Sequence, residues 1–338
     1  MCRSSKKKIL RFRKQLRIVQ DLNKDFPVRM LYDSIIRRRE VFLDRKRVTV
    51  GPAPRNTYPK ELSKMNNTAN ETKTAIVTVK DLSKTFSNES VQQHVLKNLN
   101  LTIYRGDFTV IMGNSGSGKS TLLYTLSGMD RPTLGTVTYH VDGKTEEISK
   151  HSNDALARFR RDHAGFVFQQ NYLNDSMSAL DNVMVCGLLS GGDRKALAER
   201  ARKLLTQVEI DERDQRKFPT QLSGGQQQRV AVVRGVINEP EILYADEPTG
   251  ALNSQNTDNV LNILSELNDA GQSIVMVTHT IKAAERGNRI LYLADGVITS
   301  EIDLGPYVGD YRDESNPNLA LAKERHAKLK SFLQEMGW

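Results

Sequence analysis

Residues 107–129 read DFTVIMGNSGSGKSTLLYTLSGM, and this stretch determines the predicted fold. An apolar strand runs into a glycine-rich turn that fits the phosphate-binding pattern GxxxxGK[ST], and a helix follows the turn. From average composition, the pattern should arise by chance in about one chain in a hundred of this length. An ordinary glycine-rich strand-to-helix turn is the alternative, and the strand–turn–helix context makes it the weaker one.

The turn has the residue types that binding of ATP requires. Glycines let the backbone wrap closely and point its N–H groups at phosphate oxygens, and the following helix contributes its positive N-terminal end. We expect Lys119 to neutralise charge on the β- and γ-phosphates and the Ser120 hydroxyl to coordinate Mg²⁺. The predicted ATP-binding residues of this turn are Gly113, Asn114, Ser115, Gly116, Ser117, Gly118, Lys119, Ser120 and Thr121.

A second nucleotide motif lies at residues 242–248, which read ILYADEP, an apolar strand that ends in two acids. Asp246, at the C-terminal end of the strand, can reach the Mg²⁺ shell. Glu247 is placed to orient and polarise an attacking water. Acids also cap buried strands at protein surfaces, but the pairing with a phosphate-binding turn favours the catalytic interpretation.

A third motif, LSGGQ, begins at Leu222 and should occur by chance in on the order of one chain in a few thousand. It stands at the start of a helical run, so its hydroxyl and backbone N–H groups form a second anion site. A second phosphate-binding helix terminus makes sense if each protomer presents it to the nucleotide held by the other. A plain helix cap is the alternative. The predicted ATP-contacting residues here are Ser223, Gly224, Gly225 and Gln226.

Over about residues 75–305 the chain resembles the ATP-binding subunits of ABC transporters. GNSGSGKST is similar to their Walker A motif, ILYADEP to their Walker B motif and LSGGQ to their signature motif. The resemblance implies that Gln169 is the Q-loop glutamine, a catalytic and Mg²⁺-contacting residue, and that His279 is the switch histidine. It also implies that Phe86 lies against adenine. Taken alone, each has a simpler interpretation: a surface glutamine, a structural histidine and a core aromatic.

The exact residues of the motifs resemble those of one subgroup, the macrolide-exporter, lipoprotein-release and peptide-antibiotic-resistance ATPases. The similarity rests on GFVFQ, on the stretch SALDN that begins at Ser178, and on YADEPTGAL. One position departs from the family, which has Asp where this chain has Asn253. Asparagine keeps hydrogen-bonding capacity but loses a charge. The change therefore puts in question the communication between the two sites of a dimer.

Bulk composition narrows the class of protein. The 338 residues contain no run of 18 apolar residues, so no membrane span is predicted, and no secretory signal follows the basic start. Two distant cysteines, Cys2 and Cys186, fit a reducing compartment. The net charge of +9 is unevenly distributed: residues 1–64 hold 19 basic and 6 acidic residues, and the remainder holds 30 and 34. The body is therefore mildly acidic, and no nucleic-acid partner is expected.

The pattern predicts an α/β fold with a RecA-like P-loop NTPase core, a small antiparallel β subdomain and an α-helical subdomain. Residues 1–74 are predicted to be a basic, disordered extension and linker, and 75–305 the ATPase domain, with its helical subdomain at about 172–235. Residues 306–338 are predicted to be a helical extension. Its helix, from Asn318 to Trp338, either packs on its own domain or docks a partner.

We therefore expect an ATP hydrolase that acts as a homodimer, or with a paired ATPase subunit, and drives a separate integral-membrane permease for export or extraction. The expected location is the cytoplasmic face of the plasma membrane. The basic tail is either a dispensable extension or an arm that touches anionic lipid.

The alternative is a soluble ABC ATPase of DNA repair, chromosome maintenance or translation. Only 109 residues separate Lys119 from Gln228, which leaves no room for a long coiled-coil insertion. A regulatory protein that binds ATP without turnover is disfavoured by the intact Glu247 and His279.

Overall fold

The structure, a computed structural model, describes residues 73–88, 91–191 and 193–338, and its strands form two sheets within the compact unit Ala75–Trp338. The first sheet is antiparallel throughout and has the order β2-β1-β4-β5. Its strands are β1 (Ala75–Asn88), β2 (Val91–Tyr104), β4 (Leu134–Val141) and β5 (Lys144–Glu147). It is the antiparallel β subdomain that the sequence predicts.

The second sheet has six strands in the order β10-β9-β3-β8-β7-β6, and all neighbours are parallel except β10 with β9. The strands are β3 (Phe108–Met112), β6 (Ala164–Phe168), β7 (Ile242–Asp246), β8 (Ser273–Val277), β9 (Arg289–Ala294) and β10 (Val297–Asp303). Every residue of β3, β7 and β8 is buried. Near-continuous burial is typical of parallel strands that are covered on both faces, as the predicted RecA-like core requires.

Eight α-helices accompany the sheets in the described residues. They are α1 (Lys119–Leu126), α2 (Asn153–His163), α3 (Ala179–Leu189), α4 (Arg194–Gln207), α5 (Gly224–Val236), α6 (Ser254–Asp269), α7 (Ile281–Ala284) and α8 (Leu319–Glu335). Short 3₁₀ helices occupy Ile148–Lys150, Asp214–Arg216 and Pro219–Gln221.

Helices α3, α4 and α5 share an apolar core of their own, which includes Val183, Leu205 and Val230. They form the predicted helical subdomain, and polar side chains fix where two of them start. The Ser178 hydroxyl accepts from the backbone N–H of the third residue of α3, and Asp193 does the same for α4. Such caps satisfy N–H groups that have no partner inside the helix.

The C-terminal helix α8 packs on its own domain. It buries Leu329, Phe332 and Leu333 in the core on one face of the parallel sheet. Beyond the helix, the indole ring of Trp338 makes an edge-on contact with Tyr292 of β9, with ring centroids 6.4 Å apart. Of the two interpretations of this segment, the structure therefore favours packing within the chain.

Arg325 anchors α8 through its guanidinium group, which is buried. It donates hydrogen bonds to the backbone carbonyls of Glu285, Gly287 and Gly305. Burial lowers the pKa of Arg325 to about 10, so the group stays charged at neutral pH. The helix is thus held to the segment that follows α7.

Residues 1–72 of the predicted basic extension and linker lie outside the described residues. Within the part that the structure describes, the longest helix is α8, with 17 residues. No helix there is both long and apolar enough to cross a bilayer.

Candidate nucleotide-binding site

Four adjacent parallel strands bring the sequence motifs to one edge of the second sheet. Their order is β3-β8-β7-β6. The segments at their carboxyl ends are, in that order, the turn 113–121, then His279, then Asp246 and Glu247, and finally Gln169. Because the carboxyl ends of parallel strands form the ligand-binding edge of an α/β sheet, residues that are far apart in sequence become neighbours here.

Two glycines give the phosphate-binding turn a shape that no other residue allows. Gly113 has φ +148°, and a Cβ atom there would lie 2.0 Å from the carbonyl oxygen of Leu293. Gly118, at the N-terminus of α1, has φ +101°, and its Cβ would lie 3.0 Å from the carbonyl oxygen of Val95. The spacing of glycines in the motif is therefore a steric requirement of this backbone.

Lys119 points into the turn. Its Nζ donates to the carbonyl oxygens of Gly113, at 2.9 Å, and of Asn114, at 2.8 Å. Burial lowers its pKa, and the negative charges of Glu247 and Asp246 oppose that shift. The Oγ of Ser117 is buried in the same turn and has no hydrogen-bond partner in the described residues. An ammonium group and an unpaired hydroxyl in one backbone cradle fit a bound phosphate chain.

Asp246 receives two hydroxyl donors from α1. Ser120 Oγ donates to its Oδ1 at 2.9 Å, and the Tyr124 hydroxyl donates to its Oδ2 at 2.7 Å. Burial raises the pKa of Asp246, and these two hydrogen bonds oppose the shift. Burial, followed by the charge of Asp246, raises the pKa of Tyr124, which therefore remains a donor.

The donor set fits Mg²⁺. A serine hydroxyl and an aspartate carboxylate are oxygen ligands of the kind that Mg²⁺ uses beside nucleotide phosphates. In the described residues, no group of three or more His, Cys, Asp or Glu side chains converges to hold a metal alone. Sequence reasoning missed Tyr124, although it lies four residues after Ser120 and thus on the same helix face.

Glu247 has an uncommon backbone conformation, with φ +45°. Its N–H donates to the carbonyl oxygen of Val277 at 3.0 Å, which holds the strained residue against the end of β8. His279 Nδ1 lies 3.1 Å from Glu247 Oε1. The two predicted catalytic residues therefore contact each other, and the Glu247 side chain is 25% exposed.

Gln169 follows β6, and Phe86 lies near the end of β1. A Cβ atom built on Gly250, in the turn after Glu247, would lie 2.9 Å from the Nε2 of Gln169, so this exposed side chain rests on that turn. Phe86 is on β1 and is 44% exposed. Its ring lies 4.8 Å from the ammonium of Lys84, which leaves a face open for stacking.

The signature segment starts α5 with a reciprocal cap. Ser223 Oγ accepts from the N–H of Gln226 at 3.3 Å, and Gln226 Oε1 accepts from the N–H of Ser223 at 2.9 Å. Gly225 packs on Asn256, whose Oδ1 would lie 2.2 Å from a Cβ at that position. Asn253 accepts from the N–H of Asn256 at 3.0 Å and so caps α6, a role for which asparagine and aspartate are equivalent. Among the described residues, no hydrogen bond joins the signature segment to the phosphate-binding turn.

Backbone acceptors connect the signature helix to the loop after β6. Gln228 Nε2 donates to the carbonyl oxygen of Phe168 at 2.8 Å. Arg234 donates to the carbonyl oxygens of Asn171, at 2.7 Å, and Tyr172, at 2.6 Å. These hydrogen bonds couple the position of the loop backbone to that of α5.

Comparisons with known proteins agree with this geometry. Residues 96–250 match the sequence pattern of the ABC transporter domain. The chain is 43% identical over 226 residues to the macrolide export ATP-binding/permease protein MacB of Escherichia coli, which covers 67% of this chain and 34% of that protein. It is 39% identical over 267 residues to MacB of Acinetobacter baylyi, covering 78% of this chain and 40% of that one. The chain thus spans between a third and two fifths of these relatives.

The fold is similar to a solved dimeric structure of the ATP-binding cassette MJ0796, which is in a post-hydrolysis state bound to ADP and Pi. The match has a TM-score of 0.62 and 40% sequence identity, and it covers 68% of this chain and 98% of that one. A second dimeric structure of MJ0796, described as a bacterial ABC transporter cassette, matches with the same values.

Proposed function

Because the chain belongs to the ABC transporter family as an ATP-binding cassette, we propose that it binds and hydrolyses ATP to drive a membrane permease. One observation carries this proposal. One edge of a parallel sheet brings together the phosphate-binding turn, the Asp246 carboxylate and the Glu247–His279 pair. Ser120 of the turn contacts Asp246, and His279 contacts Glu247, an arrangement that suits a bound nucleoside triphosphate.

Each group has a separate task in this proposal. The turn 113–121 surrounds the phosphates with N–H groups, and Lys119 neutralises their charge. Ser120 and Asp246, together with Gln169, would hold Mg²⁺, which neutralises charge on the β- and γ-phosphates when bound.

Hydrolysis in this proposal depends on placement of the attacking water. The carboxylate of Glu247 orients and polarises that water, and His279 holds the carboxylate in place through the 3.1 Å contact. Water then attacks the γ-phosphorus in line with the departing oxygen, and ADP leaves with the bond pair. Most of the rate enhancement comes from positioning and charge stabilisation.

The signature segment supports a shared site in a dimer. Ser223 and Gly224 are exposed at the N-terminus of α5, where they form an anion cradle separate from the phosphate-binding turn. The MJ0796 cassette is dimeric, and we propose that this chain pairs in the same way. Each protomer then closes its partner's ATP with residues 223–226, while Phe86 stacks on adenine.

The relatives named above are export ATP-binding/permease proteins, and this chain matches only a part of their length. We propose that the permease is a partner of this chain and that transport is outward. The cassette would then lie on the inner face of the membrane, with residues 1–64 either dispensable or touching anionic lipid. A role as a soluble ATPase in DNA repair, chromosome maintenance or translation is not favoured.

Substitution Glu247→Gln tests the proposal. The variant should bind ATP but lose about 10²- to 10⁴-fold in turnover, because a positioned general base contributes that much, and it should accumulate as an ATP-bound dimer. Phosphate release and size-exclusion chromatography with ATP measure the two effects. Glu335→Gln, an exposed change on α8, is the matched control. Normal turnover in Glu247→Gln, or a monomer in saturating ATP, would refute the assignment.

A further inference from the structure

Tyr124 contacts the reaction site without belonging to any of the sequence motifs. It lies on α1, one helical turn after Ser120, and its hydroxyl donates to Asp246 Oδ2 at 2.7 Å. Ser120 donates to the other carboxylate oxygen, Oδ1, at 2.9 Å. Both oxygens of the one carboxylate that ends β7 are therefore held by donors from a single helix.

This arrangement fixes the rotation of the carboxylate. With one donor, the Asp246 carboxylate could turn about its terminal torsion, which is intrinsically soft. With two donors spaced one turn apart on α1, only one orientation satisfies both hydrogen bonds. The ring of Tyr124 is half-buried and packs against the core on this face of the sheet, so the hydroxyl cannot easily move away.

The same helix carries the N-terminus that faces the phosphates. A carboxylate aligned by α1 would thereby be aligned with a bound phosphate chain, and Ser120 and Asp246 would hold Mg²⁺ beside that chain. We propose that Tyr124 is a positioning residue that orients the Asp246 carboxylate and so sets the affinity of the nucleotide site for Mg²⁺. The proposal rests on the ATP-binding function proposed above and adds to it a residue that determines metal affinity.

The test removes only the hydroxyl. In Tyr124→Phe the ring and its packing remain, and the full chain is titrated with a fluorescent ATP analogue, first in EDTA and then over a series of free Mg²⁺ concentrations. Affinity in EDTA should stay within about twofold of the wild type. The Mg²⁺ concentration at half effect should rise about 10- to 100-fold, the usual cost of losing a hydrogen bond to a ligating carboxylate. Tyr292→Phe is the control, since that hydroxyl is buried without a partner in the described residues.

One further measurement separates positioning from general damage. With Asp246→Ala as the background, adding Tyr124→Phe should change the Mg²⁺ dependence less than twofold, because the carboxylate that the hydroxyl orients is gone. An unchanged Mg²⁺ requirement in Tyr124→Phe would overturn the proposal, and so would an equal loss of affinity in EDTA. Failure of the wild-type chain to bind the analogue at all would overturn the proposed function itself and this inference with it.

Discussion

Arg325→Met should release the C-terminal helix from the domain. Arg325 is buried and donates to the carbonyl oxygens of Glu285, Gly287 and Gly305; the contact with Gly287 is buried and the other two are partly buried. Hydrogen bonds from a charged donor contribute about 1.5–3 kcal/mol each. Losing the hydrogen bonds to Glu285 and Gly287 costs about 4 kcal/mol. Burial of the methionine side chain restores about 1 kcal/mol. The expected net loss in the free energy of unfolding is therefore about 3 kcal/mol.

The chain provides its own probe for this experiment. Trp338 is the only tryptophan in the sequence, and it packs against Tyr292 just beyond α8. In urea, the Trp338 fluorescence transition should move down by about 1 M, if unfolding has a slope of about 3 kcal/mol per molar. The far-UV circular dichroism transition is recorded in parallel. Lys323→Met, an exposed change on the same helix, is the control. If the two variants unfold at the same urea concentration, the anchoring role of Arg325 is wrong.

Two other expected results concern the dimer and the N-terminal extension. Ser223→Arg should abolish turnover while ATP binding persists, as measured by ATPase assays and equilibrium binding. Mixing this variant with a Lys119→Ala chain should leave at most one complete site per mixed dimer. Normal turnover by the Ser223 variant would exclude shared sites. A chain that starts at Met65 should dimerise and hydrolyse ATP like the full chain, since every motif lies after Ala75. Lost ATPase activity would contradict that, whereas a salt-sensitive loss of membrane association alone would indicate a lipid-binding arm.

The sequence predicted those parts of the fold in which local pattern and tertiary environment agree. Strands β3, β7 and β8 are buried along their whole length and are therefore mostly apolar, so they can be identified without any structure. The glycine-rich turn was equally visible, because backbone geometry at Gly113 and Gly118 leaves no other residue possible. The fold class and the family resemblance were both confirmed.

Other elements were missed, although two of them carried local signals. Strand β10 alternates between exposed and half-buried residues and follows an Asp295–Gly296 turn, which is a strong hairpin signal. Helix α2 begins after Ser152, whose hydroxyl caps it, and has charged residues over most of its length.

Tyr124 was missed for a different reason. Its contact with Asp246 joins residues that are 122 positions apart in the chain. Helical spacing places Tyr124 on the Ser120 face, but only the packing of α1 against the end of β7 gives that face a partner. The role of such a residue follows from tertiary structure and has no local sequence signature.

The links between the signature helix and the loop after β6 have a consequence for how this protein can evolve. Gln228 and Arg234 bind carbonyl oxygens, which every residue possesses, and not the side chains of the loop. A substitution at Tyr172 therefore leaves these links available as long as the backbone path is kept, whereas a substitution at Asn171 removes the hydrogen bond that its Nδ2 donates to Gln227 Oε1 on α5 at 2.8 Å. The other side chains of this loop can therefore vary more freely than its backbone path, which the hydrogen bonds to α5 constrain.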